Sequence, residues 1–320
     1  MNTAIEQIKA GVEAHLNGNL RAAESAYLAA LTVDSENATA HNNLGFIYGQ
    51  CQRWDEALLH LRMALDLNPD LSMAHSNLGQ VLMNLGSAEE GMAHLEKAVD
   101  IAPDNLQAWD NLGRFCLHAG NFQRAEYSWL RALAIRPHTA HLMVRLGTAI
   151  AAQGRVDEAI ELYQQVLQQN PADVDAWAQL GVCYFLRKDF GSCQNALERA
   201  LHIKPDDHIA LRHLGLVHIA LGAKQRAEAA FAKLLRHYPE DRETSLDLAV
   251  LQLSLDNPAT ALAKLEQLYA NDATNERIRF YLALALRACG EPARAADYLM
   301  EIAGANGLYA QKARQMLEVH

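Results

Sequence analysis

Proline is scarce in this chain, with 8 among 320 residues, and cysteine is scarcer, with 5. So little proline excludes a collagen-like or proline-rich disordered chain, and an odd cysteine count without CxxC spacing supports neither a disulfide framework nor a zinc site. Basic side chains are in deficit: 28 Lys and Arg stand against 38 Asp and Glu, a formal charge of −10. That sign opposes a phosphate backbone, so no nucleic acid partner is expected. No run of about 18 apolar residues occurs, so no membrane insertion is expected either. The stretch from Ile5 to Leu16 is amphipathic and lacks the basic and apolar segments of a leader, and with its unpaired thiols the chain reads as cytoplasmic, barring a leader removed upstream. Walker, GxGxxG, GxSxG and HExxH motifs are all missing, so neither an enzyme nor a cofactor is expected. His202, His208, His213 and His218 fall on different helix faces and do not form a metal set.

What is present is a period. The hexapeptides starting at Asn43, Asn77 and Asn111 all begin Asn-Leu-Gly, and their glycines, Gly45, Gly79 and Gly113, lie 34 residues apart. Gly11 precedes them at the same interval; Gly147, Gly181 and Gly215 continue the series, and Ala249 and Ala283 complete it. Nine units result: 4–37, 38–71, 72–105, 106–139, 140–173, 174–207, 208–241, 242–275 and 276–309. Residues 310–320 are left as a capping helix, and the whole chain, 1–320, reads as one array. Twelve residues beyond each small position stands a second small residue, from Ala23 and Ala57 through to Ala295. Two antiparallel helices approach closely where both carry small side chains, which predicts a helical hairpin per unit. Large residues such as Tyr27, Leu61, Trp129 and Phe231 then fill the space between hairpins. Gly18, Gly86, Gly120, Gly154 and Gly222 predict left-handed turns between the helices, and Pro69, Pro103, Pro137, Pro171, Pro205 and Pro239 close six units.

These columns resemble the tetratricopeptide repeat family, and unit 106–139 carries its signature in Trp109, Leu112, Gly113, Ala125, Trp129, Ala132 and Pro137. The resemblance implies an all-α, right-handed superhelix of helix-turn-helix repeats, with first helices lining a concave groove and second helices facing outward. It also implies a protein-binding function.

Two sets of groove residues are candidates for contact with a partner. Two places before the small column stand Asn43, Asn77 and Asn111, whose carboxamides can each meet a peptide N–H and C=O. This ladder is similar to that in the repeat superhelix of O-linked N-acetylglucosamine transferases, here without a catalytic domain. Arg145, with Arg114 nearby, is expected to hold an acidic group. Farther along, Val182, Phe185, Leu216, Ile219, Leu246, Val250, Leu253, Phe280 and Leu284 form an apolar trough. An amphipathic helical segment of another protein, a second copy in a homo-oligomer, or closure by self-packing could each cover it. Residues 1–105 carry 14 acidic and 5 basic side chains, which reads as a solvated face. The chain is thus expected to be a non-enzymatic adaptor or assembly chaperone. The alternatives are a self-associating scaffold or the targeting subunit of a separately encoded enzyme, such as a glycosyltransferase or secretion, pilus or polysaccharide machinery.

Overall fold

The computed structural model describes residues 3–318 and places nineteen α-helices among them. The ends of the expected array, 1–2 and 319–320, lie outside the described residues, so the capping helix is described as far as Glu318. The chain divides into two compact units between Leu162 and Tyr163.

In the first unit α1 (Ala4–Leu16) pairs with α2 (Leu20–Val33), α3 (Ala38–Gln50) with α4 (Trp54–Leu67), α5 (Ser72–Asn84) with α6 (Ala88–Ile101) and α7 (Leu106–His118) with α8 (Phe122–Ile135). α9 (Ala140–Ala152) packs on α8, and α10 (Val156–Gln169) carries the boundary. In the second unit α11 (Val174–Leu186) pairs with α12 (Phe190–Ile203), α13 (His208–Ala220) with α14 (Lys224–His237), α15 (Arg242–Ser254) with α16 (Pro258–Asn271) and α17 (Glu276–Ala288) with α18 (Pro292–Gly304). α19 (Ala310–Glu318) closes against α18 by burying Ala310 and Ala313. Within each unit second helices also pack on the first helix of the next hairpin, α2 on α3 and α12 on α13 for example, so these hairpins bury their apolar stripes only when stacked.

The glycine column leaves room for a large side chain as much as for a neighbouring helix. A Cβ at Gly45 would stand 2.5 Å from Leu61 Cγ, and one at Gly113 would stand 2.6 Å from Trp129 Cε2. Tyr27, Leu61, Trp129 and Phe231 are fully buried in these slots within their own hairpins, so they lock a hairpin together as well as joining it to the next. Burial on this scale contributes about 1.5–3 kcal/mol for each such side chain.

The turn column takes a left-handed backbone in all nine hairpins: Gly18, Gly86, Gly120, Gly154, Gly222 and Gly290, and equally Gln52, Lys188 and Asp256 at φ of 59°, 60° and 61°. Side chains cap the first helices. Asn37, Asn105, Asp173, Asp207 and Asp241 each accept a backbone N–H three residues on, which supplies one of the donors that a helix start leaves unpaired.

Candidate functional site

The polar candidates lie in the first unit, on consecutive first helices. Asn77 donates to Asn42 Oδ1 at 2.9 Å, Asn111 donates to Ser76 Oγ at 2.9 Å, and Arg145 pairs with Asp110. Each bond spans 35 residues and joins the same two columns of adjacent hairpins. The ladder amides therefore hold neighbouring repeats together, which uses one N–H of Asn77 and one of Asn111. Asn43 accepts from Asn42 at 3.1 Å and is hydrogen-bonded to the Tyr27 hydroxyl. Asn111 Oδ1 accepts from Gln107 at 3.1 Å.

The arginines part company. Arg145 is neutralised by Asp110, a buried carboxylate that also accepts the Trp129 indole N–H at 2.9 Å. Arg114 is exposed and reaches Gln80 Oε1 at 3.2 Å. A pocket of about 250 Å³ brings Asn77, Asn111 and Arg114 together with Gln50, Gln80, Asn84 and Gln107, over a floor that includes Gly45, Gly49 and Phe46. Asn43 does not line it, and Arg145 faces an adjoining cavity shared with Arg114 and His118. Six carboxamides from α3, α5 and α7 thus meet in one pocket whose lining contains no carboxylate.

The apolar candidates all lie in the second unit, but they do not form one open trough. Leu246 and Phe280 are buried in a single cluster, with Val250, Leu253 and Leu284 packed against it. Tyr309, just before α19, lies over Phe280 with ring centroids 4.8 Å apart. Phe185 meets the rings of Phe190 and His213 at 5.9 and 6.0 Å. Val182 is half-buried, Leu216 packs beside Phe231 and Leu248, and Ile219 is 42% exposed. Tyr309 stands in the column where most other units carry a capping Asn or Asp, such as Asp241 and Asn275, so the period gave no sign of a ring there or of the cover it provides.

Two pairs of histidines are a further feature of the first unit. His41 Nδ1 lies 2.9 Å from His60 Nδ1, and His75 Nδ1 lies 2.7 Å from His94 Nδ1, one repeat apart. Burial pushes His60, His75 and His94 below the ordinary histidine value of 6.5, and the neighbouring imidazole adds to this for His60 and His94. The 34-residue spacing of His41 with His75 and of His60 with His94 was the available signal. Burial raises the thiols of Cys116 and Cys183 to about 11 and that of Cys193 to about 12, so these three stay protonated near neutrality. Among the described residues no helix is long and apolar enough to cross a membrane, and no cluster of histidine, cysteine and carboxylate side chains could hold a metal ion.

Stacked hairpins whose first helices carry both the inter-repeat bonds and the carboxamide pocket define an all-α repeat scaffold. Tetratricopeptide repeat models match residues 38–71, 74–105, 104–172, 149–215 and 194–242, and the chain belongs to that family. No curated protein sequence matches it. Solved structures share the fold. A tetratricopeptide repeat protein from Parabacteroides merdae is 18% identical with a TM-score of 0.64, over 78% of this chain and 98% of that one. PilW, described as a type IV pilus biogenesis factor, is 22% identical with a TM-score of 0.57, over 65% and 97%. Pseudomonas aeruginosa PilF is 18% identical with a TM-score of 0.54, over 65% and 94%.

Proposed function

We propose that the chain is a non-catalytic adaptor or assembly chaperone that holds an extended segment of another protein against the first helices of its amino-terminal unit. The observation that supports this reading is the pocket of six carboxamides drawn from three successive hairpins. A carboxamide offers an acceptor and two donors, the same pair of functions that a peptide main chain presents at every residue. Because one N–H each of Asn77 and Asn111 is tied to the neighbouring repeat, the amides are held in orientation before a guest arrives, which lowers the entropic cost of binding. Phe46 in the lining gives an apolar wall for the side chains of such a segment.

The test is affinity purification from the cells that make the protein, with the variant Gln80→Ala/Asn84→Ala/Asn111→Ala in parallel. A partner held by the parent and lost by the variant, with helical circular dichroism unchanged, supports the reading. Equal recovery by both rejects the pocket as the binding surface.

A further inference from the structure

Four hairpins carry a flat ring at the same column of the first helix: His41, His75, Trp109 and Trp177. Each ring lies against the carbonyl six residues before it, of Ser35, Pro69, Pro103 and Pro171, at 3.2, 3.0, 2.8 and 2.9 Å. The four rings are therefore seated alike. Three of them are covered by the second helix of their own hairpin. His60 lies on His41 with centroids 5.1 Å apart, His94 on His75 at 5.0 Å, and Tyr127 stands edge-on to Trp109 at 5.8 Å. Arg131 adds its guanidinium 5.4 Å from the Trp109 ring.

Trp177 has no ring against it among the described residues. The place of His60 and His94 is taken by Ala196, and that of Tyr127 by Asn195. Two adjoining cavities of about 620 and 340 Å³ share the indole. The larger has Trp177, Leu180 and Tyr184 from α11 in its lining, beside residues of α10 and α12. Arg199, the counterpart of Arg131, borders both cavities, is exposed, and has no ion-pair or ring partner among the described residues. No carboxylate lines either cavity, although the chain as a whole carries a charge of −10.

We propose that this cleft is a second docking site, which receives an aromatic side chain of a partner protein together with a nearby carboxylate. The guest ring takes the place that His60, His94 and Tyr127 occupy in the other hairpins, and the carboxylate pairs with Arg199. The chemistry of the guest follows from the protein's own repeats, which show what this seat accepts. A ring buried against an indole beside a charge-assisted pair is the anchor type that dominates interface energies. The site lies among α10, α11 and α12 and does not depend on the carboxamide pocket.

The experiment follows the four indole N–H signals of the full chain by NMR while blocked peptides are added at millimolar concentration. Trp177→Leu assigns the signal, and Leu211 at the same column one repeat later shows that leucine fits there. Acetyl-Gly-Phe-Glu-Gly-amide and its Tyr and Trp counterparts are expected to move the Trp177 signal saturably and to leave the other three in place. Acetyl-Gly-Ala-Glu-Gly-amide should not. Arg199→Gln is expected to weaken binding by about tenfold. Asn195→Tyr, which rebuilds the cover of Trp109 at an exposed position, is expected to abolish it. The proposal is overturned by an unmoved Trp177 signal, or by equal binding to Asn195→Tyr. Saturation by adenosine monophosphate at lower concentration than any of the peptides would overturn it in favour of a small-molecule site.

Discussion

Positions 42, 76 and 110 in the first unit and 178, 212 and 246 in the second occupy one column of the repeat, yet they hold opposite chemistries. Asn42, Ser76 and Asp110 each bond to the next repeat's Asn77, Asn111 or Arg145. In the second unit Ala178 and Leu246 are buried among apolar neighbours, and Arg212 donates to Asp247 at 3.4 Å across the same 35-residue step with the charges reversed. The scaffold therefore asks only that the two sides of each repeat junction match. A polar junction leaves carboxamide valences facing the pocket, whereas an apolar one closes on itself. That difference is the reason the proposed main-chain guest is assigned to the first unit.

The largest test of this contrast is in the apolar half. Phe280→Ala is expected to cost about 3–5 kcal/mol in a urea titration, because a buried ring under Tyr309 leaves a cavity. Ile219→Ala, at an exposed position of the same expected trough, should change stability by less than about 1 kcal/mol. Equal effects would show that the two residues share one environment and would break the distinction between closed and open parts.

Asp110→Ala in the polar half is expected to cost about 2–3 kcal/mol, since it strands the Trp129 indole N–H and the Arg145 guanidinium together. Asp110→Asn should recover part of this by accepting from Trp129 again. Thermal unfolding of both variants measures the contribution of a polar junction directly, and a loss below about 0.5 kcal/mol would assign the junction a negligible one.

Acid supplies a smaller effect. His60, His75 and His94 bind protons less readily in the fold than in the open chain, so their contribution is fully present above pH 6.5. It is lost as the pH falls from 6.5 through their depressed values. The melting temperature should therefore decline between pH 7 and pH 5, and His60→Gln/His94→Gln should flatten that decline. In the second unit His213 and His218 are also held below the ordinary value by burial, so a shallower slope should persist in the double variant.

Much of the fold was legible because its information is periodic. Gly45, Leu61 and Pro69 recur in kind every 34 residues, and the same local physics of close approach and helix termination repeats with them. The three asparagines were visible for the same reason, but their partners were not. Asn77 and Asn111 bond to residues 35 positions away, a distance that becomes a contact only when hairpins stack. The burial of Phe280 was hidden more completely, since its cover, Tyr309, is an aromatic in a column that elsewhere carries none, only residues such as Asp207, Asp241 and Asn275.

The chain's spacing of small, large and turn-forming residues determined by itself that hairpins form and that they stack, because these are interactions between near neighbours in the chain. Tertiary structure alone decided which inward side chains remain available. Whether the Asn111 amide, the Phe280 ring or the Trp177 face is satisfied depends on groups that other elements of the fold bring or withhold, and composition along the chain does not record that pairing.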